Sequence, residues 1–280
     1  MKQILSFPAL WGLRTIQKIR KSDNPGFNIL LFHHVSPNQM EKFDALISYI
    51  IKLHGILSPF QAEKWITENI VVRGPRPDSI PCLLTFDDGF ESNIVAAKMI
   101  LEPKDLKAVF FVCPGLIEFE KKNQQKAVAD KLFPSGKTTN SIPPLMEWSQ
   151  IMELHSNGHT IGAHSMTHAR LSKLSKDELE SEIGESRVQI EDKLSSKVRW
   201  FAYPFGDVDS IDRESLKHIK DVFEYCRTGI RGRNTCLTNP FGMLAQHIDL
   251  ELPHNYQKLI LHNGLDFRYR KARKKYKQFY

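Results

Sequence analysis

Apolar and polar positions alternate along this chain in short blocks whose period switches between that of a strand and that of a helix. Residues 27–35 form a nearly continuous apolar run and predict a buried strand. Over residues 41–53, Phe43, Leu46, Ile47 and Ile50 recur at helical spacing. Pro75, Pro77 and Pro81 mark a loop, after which residues 82–86 predict a second strand. A helix is expected over 91–101 and a strand over 108–113. Residues 120–143 are polar, hold Gly136 and Pro143-Pro144, and predict a long loop or insertion. A helix over 145–156 then turns Met146, Ile151 and Leu154 inward, Gly158 ends it, and residues 160–163 predict a short strand. Ser175-Lys176-Asp177-Glu178 matches a capping box and opens a helix running to Leu194. A strand over 198–203 stops at Pro204-Phe205-Gly206. A helix at 212–220 and strands at 222–227 and 245–250 follow. Strands alternating with helices argue for an α/β fold with a parallel sheet, open or closed into a barrel, whose sites lie at strand C-terminal ends.

Composition adds little to the fold but changes the picture of the ends. The chain has 280 residues, 41% hydrophobic and 25% charged, as expected of a globular protein with a sizeable core. Its net charge of +7 is unevenly spread. Residues 1–21 hold five cations and residues 268–277 hold seven, both without an acid, which leaves the body mildly acidic. The chain therefore divides into a basic amphipathic segment at 1–26, a catalytic domain at 27–265 and a basic tail at 266–280. Basic ends fit solvated tails, an anionic membrane surface or, more remotely, nucleic acid. The apolar run Ile4 to Leu13 is short, holds Pro8, and lacks the cationic start and cleavage site of a signal peptide. Cys82, Cys113, Cys226 and Cys236 form no CxxC pair and read as free thiols of a reducing compartment. A cytoplasmic protein, peripheral at the inner face of the membrane, is the expectation.

The chemistry concentrates in Thr85-Phe86-Asp87-Asp88-Gly89. Adjacent carboxylates at a strand end repel each other, and a cation would relieve that while using one of them as a ligand. His164 and His168, four residues apart, supply the imidazoles of a common divalent-metal set. Such a site leaves room for water and substrate, and a second carboxylate can take the water's proton. That gives hydrolysis of an amide or ester, with a histidine as acid for the leaving group.

Three ordered motifs resemble those of the polysaccharide deacetylase family, the NodB-homology domain of carbohydrate esterase family 4. They are TFDDG, the segment from Gly158 to His168, and Phe201-Ala202-Tyr203-Pro204-Phe205-Gly206, with Trp148 at a fitting distance before His164. The resemblance spans about residues 27–250. It implies a distorted (β/α) barrel with fewer than eight strands, acting on an N-acetylated sugar. Asp87 is then the base. Asp88, His164 and His168 hold a divalent metal, usually zinc, and Ser165 orders the loop. The Phe205 N–H helps form an oxyanion site, with Tyr203 beside it, although Tyr203 and Trp148 read more simply as packing.

Two departures stand out. Many members carry an arginine paired with the base in the third motif, where this chain has Ala202; Arg199 is near in sequence only. No clear Leu-x-His, the usual source of the acid, stands near the C-terminus. Instead Phe32-His33-His34-Val35 is similar to the Tyr-His-x-Val strand of poly-N-acetylglucosamine deacetylases, which implies His33 as the acid. His247 competes for that role, and His34 points to the other face of the strand. A deformylase, an O-acetyl esterase and a non-catalytic glycan-binding module are the alternatives.

Overall fold

The computed structural model describes residues 25–119, 121–133 and 142–280. The basic segment expected at 1–26 therefore lies outside the described residues, apart from its last two positions.

Seven parallel strands build the wall of a distorted barrel. They are β1 (Gly26–Phe32), β3 (Cys82–Phe86), β4 (Val109–Val112), β5 (Thr160–Ala163), β6 (Trp200–Ala202), β7 (Tyr225–Arg227) and β9 (Ala245–His247). The strand β9 pairs with β1, Leu31 facing His247. A parallel bridge between Arg227 and Met243 brings β7 to the run that enters β9. Two-residue strands attach to this wall: β2 (Ile56–Leu57) parallel to β3, and β8 (Asn234–Thr235) antiparallel to β1. This is the distorted barrel with fewer than eight wall strands that the sequence motifs implied.

Period-2 alternation sorts the strand residues into two cores. One set faces inward: Phe27, Ile29 and Leu31 of β1, Leu83 of β3, Val109 and Phe111 of β4, Trp200 and Ala202 of β6, Tyr225 of β7 and Ala245 of β9. The other set, including Leu30, Phe32, Leu84, Phe86, Phe110 and Phe201, packs under the surrounding helices. Phe43, Leu46, Ile47 and Ile50 of the Met40–Leu53 helix join that outer core, as their spacing predicts. The helix Pro59–Glu68 inserts Ala62, Trp65 and Ile66 among the inward set and so floors the barrel. It begins on a capping box, Ser58 with Gln61, with Pro59 at the first helical position.

Two expectations change. The stretch 120–143 is not all loop: Lys121–Leu132 is a helix, and its Val128 packs with Phe90, Cys113, Leu116 and Leu145 in a small satellite core. Its apolar residues are too few to print a helical period, while the neighbouring core supplies what they need. The basic tail at 266–280 is not a free tail either. Arg270–Tyr276 is helical, and Tyr276 is buried, stacked 6.2 Å from Tyr203 and donating to the Phe241 carbonyl at 2.7 Å. Its charge density masks an inward stripe of Tyr269, Ala272, Arg273 and Tyr276 at helical spacing.

Candidate active site

Extending the inward set by one step at the strand C-termini places the polar residues. From Leu31 the alternation reaches His33, from Thr85 it reaches Asp87, from Gly162 His164, from Tyr225 Arg227 and from Ala245 His247. Five polar side chains from five strands thus converge over the mouth of the barrel. Gly162 is needed below His164, because a Cβ there would meet the Phe111 ring at 2.6 Å.

Asp88 should point the opposite way from Asp87 if the strand continued. It does not, because Asp88 and Gly89 both take left-handed backbone conformations, with φ 72° and 73°. The turn brings both carboxylates to the same site. Ser165, His168 and Phe205 are left-handed as well, so four of the eight described non-glycine residues with positive φ belong to this site. Glu182 holds the His164–His168 loop: its carboxylate accepts from the Thr167 N–H at 2.9 Å and from the Thr167 hydroxyl at 2.5 Å. It projects from a π-helical turn, Glu180–Glu185, a distortion common at functional sites. Ser165 Oγ accepts from the Ala169 N–H at 3.3 Å.

The three candidate ligands are buried, and their ligand atoms lie within 4.8 Å of one another. Nε2 of His164 and Nε2 of His168 stand 3.5 and 3.6 Å from Asp88 Oδ1. On the far side of each ring, Nδ1 of His164 donates to the Ala202 carbonyl at 2.6 Å and Nδ1 of His168 to the Lys131 carbonyl at 3.2 Å. Those bonds put the proton on Nδ1 and leave the Nε2 lone pairs facing Asp88. Asp88 Oδ1 is buried with no hydrogen-bond partner. Three acceptor atoms aimed at one point, one of them orphaned, fit a divalent cation. Burial pushes the His168 imidazole down to about 4, so it is neutral, as a ligand must be.

The arginine absent from the third motif is supplied elsewhere. Arg227, almost fully buried, sends one Nη to both oxygens of Asp87, at 2.6 and 2.5 Å. Its guanidinium lies 5.0 Å over the Phe111 ring, and its other Nη donates to the Thr228 carbonyl at 3.2 Å. Burial drives the Asp87 carboxyl up, but Arg227, with His164 and His33, outweighs it and holds the group below its ordinary value. Arg199, near in sequence only, precedes the other end of β6 and pairs with Glu63; the parity of Tyr225 and Arg227 is the signal that marks the right residue.

His33 and His247 are neighbours, their rings edge to face at 5.1 Å. Although His247 is exposed at the rim, lost hydration and then the charge of His33 keep it below the ordinary imidazole value. His34 turns away, as its parity requires, to Ser92 Oγ at 2.8 Å. The Phe205 ring, partly exposed, sits 4.7 Å from that of His168 and under the Arg170 guanidinium. Gly206 packs its backbone on Gly229, where a Cβ would come within 2.6 Å, and this seats the Phe205 turn beside the end of β7. Tyr203 is not in the cleft: it is buried and donates to the Gly206 carbonyl at 3.0 Å. One residue past β6, it keeps the outward parity of Phe201, so its ring braces the turn from behind. Trp148 is half-buried at the surface, with Nε1 on Glu118 at 2.6 Å.

The polysaccharide deacetylase family model matches residues 75–221, more than half of the chain. The chain belongs to that family. The match takes in Asp87, Asp88, His164 and His168, and it leaves out His33, Arg227 and His247. The Bacillus subtilis (strain 168) protein YxkH, a candidate polysaccharide deacetylase, is 22% identical over 204 residues, covering 70% of this chain; the chain spans 62% of the length of that relative. Among solved structures, the Streptococcus pyogenes deacetylase PplD in complex with acetate superposes with a TM-score of 0.65 at 19% identity, over 85% of this chain and 99% of that one. IcaB from Ammonifex degensii gives 0.64 at 17% identity, over 86% and 97%. At such identities these likenesses establish the fold.

Proposed function

We propose that this protein is a metal-dependent hydrolase that removes the N-acetyl group from an N-acetylated sugar of a polysaccharide or glycan precursor. The observation that carries this reading is the orphaned Asp88 Oδ1 facing two imidazole lone pairs, beside a carboxylate held ionised by Arg227.

Asp88, His164 and His168 would hold a divalent ion, zinc foremost, which when bound lowers the pKa of water and polarises the acyl carbonyl. Asp87 takes the proton from the attacking water. Arg227 keeps Asp87 charged and aimed, and the carbonyls of Ala202 and Lys131 hold the two imidazoles in register. The Phe205 N–H donates to the developing oxyanion. His33 gives its proton to the departing amine nitrogen, across the cleft from Asp87. His247, next to it, is the competing donor, and its lowered pKa counts against it. The glycan-binding reading drew on the missing motif arginine, and Arg227 removes that support. Formyl transfer to water or O-acetyl cleavage would use the same residues.

The test is product release from N-acetylglucosamine oligosaccharides, with acetate and formate measured separately. His164→Ala and His168→Ala are expected to lose bound metal and at least about a thousandfold of activity. Full activity in either variant, or after complete metal removal, would overturn the mechanism.

A further inference from the structure

We infer that the docked C-terminal helix forms a binding surface for an anionic phospholipid bilayer. Phe267, in the 3-10 turn Asp266–Tyr269 that leads into the helix, and Arg270, Lys271 and Lys274 of the helix itself recur at spacings of three, four and seven and are all exposed, Phe267 at 68%. The opposite stripe, Tyr269, Ala272, Arg273 and Tyr276, is turned inward. Arg273 donates to the carbonyls of Arg231 at 2.6 Å and Asp266 at 2.8 Å, so the helix is pinned rather than tethered. Among the described residues only Lys275 of the run 268–277 forms a salt bridge, with Asp209 at 2.5 Å, while Arg273 lies near Asp266 on the inner side. The cations of the outer stripe are free to meet an external anion.

The aromatic residue decides between partners. A patch built for a polyphosphate backbone needs cations and gains nothing from an isolated, exposed phenyl ring on a convex helix. A bilayer interface accepts both at once, with Phe267 entering the acyl boundary and the cations on the headgroups. The first 21 residues repeat that chemistry in sequence: five cations, no acid, and the apolar run from Ile4 to Leu13. No described helix is long and apolar enough to cross a membrane.

The surface is wired to the cleft. Lys275 holds Asp209, whose N–H donates to Asp207 at 2.9 Å, and Arg170 joins Asp207 to the Phe205 ring. Resting on the deacetylase reading, this proximity makes a bilayer-held sugar the substrate that the arrangement suits.

The experiment is co-sedimentation of the full chain with vesicles of phosphatidylcholine alone or with roughly one-third phosphatidylglycerol, with duplex DNA as a parallel ligand. Binding is expected to the anionic vesicles only, falling steeply with salt. Reversal of Arg270, Lys271 and Lys274 to Glu is expected to weaken it about a hundredfold. Phe267→Ser should weaken it about tenfold without altering the salt dependence. Both variants should keep full activity on a soluble oligosaccharide. Equal binding to neutral vesicles, unchanged binding of the charge-reversed protein, or tighter retention by DNA than by anionic vesicles would overturn the inference. Vesicle binding by a protein that releases no acetate would sink the deacetylase reading and leave the surface standing.

Discussion

At the floor of the barrel Arg199 closes on Glu63, and at its mouth Arg227 closes on Asp87. The floor pair is complete. Arg199 donates to Glu63 Oε2 and Trp200 Nε1 to Oε1, both at 2.6 Å, while the Arg199 Nε takes Glu224 at 2.8 Å. The mouth pair sits beside Asp88 Oδ1, which has no donor, and two imidazoles whose Nε2 atoms accept rather than give. Four left-handed residues hold the mouth together, at a cost of about 1 kcal/mol or more each. Satisfied charges stabilise a fold. Lone pairs left over at the ends of two strands and aimed at one point mark a candidate metal site.

Breaking the mouth pair should have the largest effect. Arg227→Ala leaves Asp87 buried with its principal counter-charge gone, which is expected to cost about 3–5 kcal/mol of stability. Asp87 sits below its ordinary value in the folded state, so its stabilising contribution is present above the ordinary carboxylate range and is lost as pH falls through the depressed value. In the variant burial dominates, the Asp87 pKa rises, and the acid limb of the pH–rate profile moves to higher pH, with kcat down about a hundredfold. Arg227→Lys should keep much of the charge effect and shift the limb less. Denaturant titration and pH–rate profiles check both. An unmoved acid limb in Arg227→Ala would remove Asp87 as the base that Arg227 serves.

The two histidines at the rim sharpen the same contrast. His33→Asn is expected to lower kcat about a hundredfold or more and to abolish the alkaline limb, which reports an acid that must keep its proton. His247→Asn should cost tenfold or less, because its lowered pKa leaves it without a proton to give near neutrality. The opposite ranking in kinetics with an amide substrate would transfer the role to His247.

How much of this was legible in the sequence depended on whether a feature is local. The acid pair, the HxxxH loop and the strand that follows each lie within a few residues, and the family's motifs are built from them. Arg227 was hidden because it reaches Asp87 from 140 positions away, and nothing near Asp87 marks it. Strand parity carries that information, but only once the inward set is known. The Lys131 carbonyl that orients His168 was harder still: a backbone acceptor leaves no trace in residue type. The tail misled for a physical reason, since cations on the outer stripe of a helix say nothing about tyrosines on the inner one.

His54 extends the test to a floor group with no chemistry to do. It caps the Met40–Leu53 helix and is buried, and desolvation followed by the charge of His262 pushes its imidazole down to about 4. A folded value below the unfolded one means the stability is whole above about pH 6.5 and drains away as pH falls through 4, by roughly 3 kcal/mol in all. His54→Leu should flatten that slope in denaturant titrations between those limits, with kcat unchanged at neutral pH. A slope identical to that of the parent would assign the acid loss to other groups.

The floor pair should give the smallest effect. Arg199 is more than a third exposed, so solvent screens its attraction to Glu63, and Glu224 stands by as a second partner. Glu63→Gln keeps one acceptor, which serves Trp200, but turns an NH2 donor toward Arg199 and so loses that hydrogen bond as well as the charge. We expect a stability loss of about 1 kcal/mol or less and a kcat within twofold of the parent. Arg199→Ala should cost more than Glu63→Gln, because it leaves the buried Glu63 carboxylate with only its Trp200 donor. The double variant then tests independence: floor and mouth changes combined, Glu63→Gln with Arg227→Lys, should add within about 0.5 kcal/mol. A larger coupling would mean that the barrel transmits strain from floor to mouth through Trp200 and Phe111, which stand 6.5 Å apart between the two arginines. In that case the completed pair would be part of the positioning of Asp87 after all.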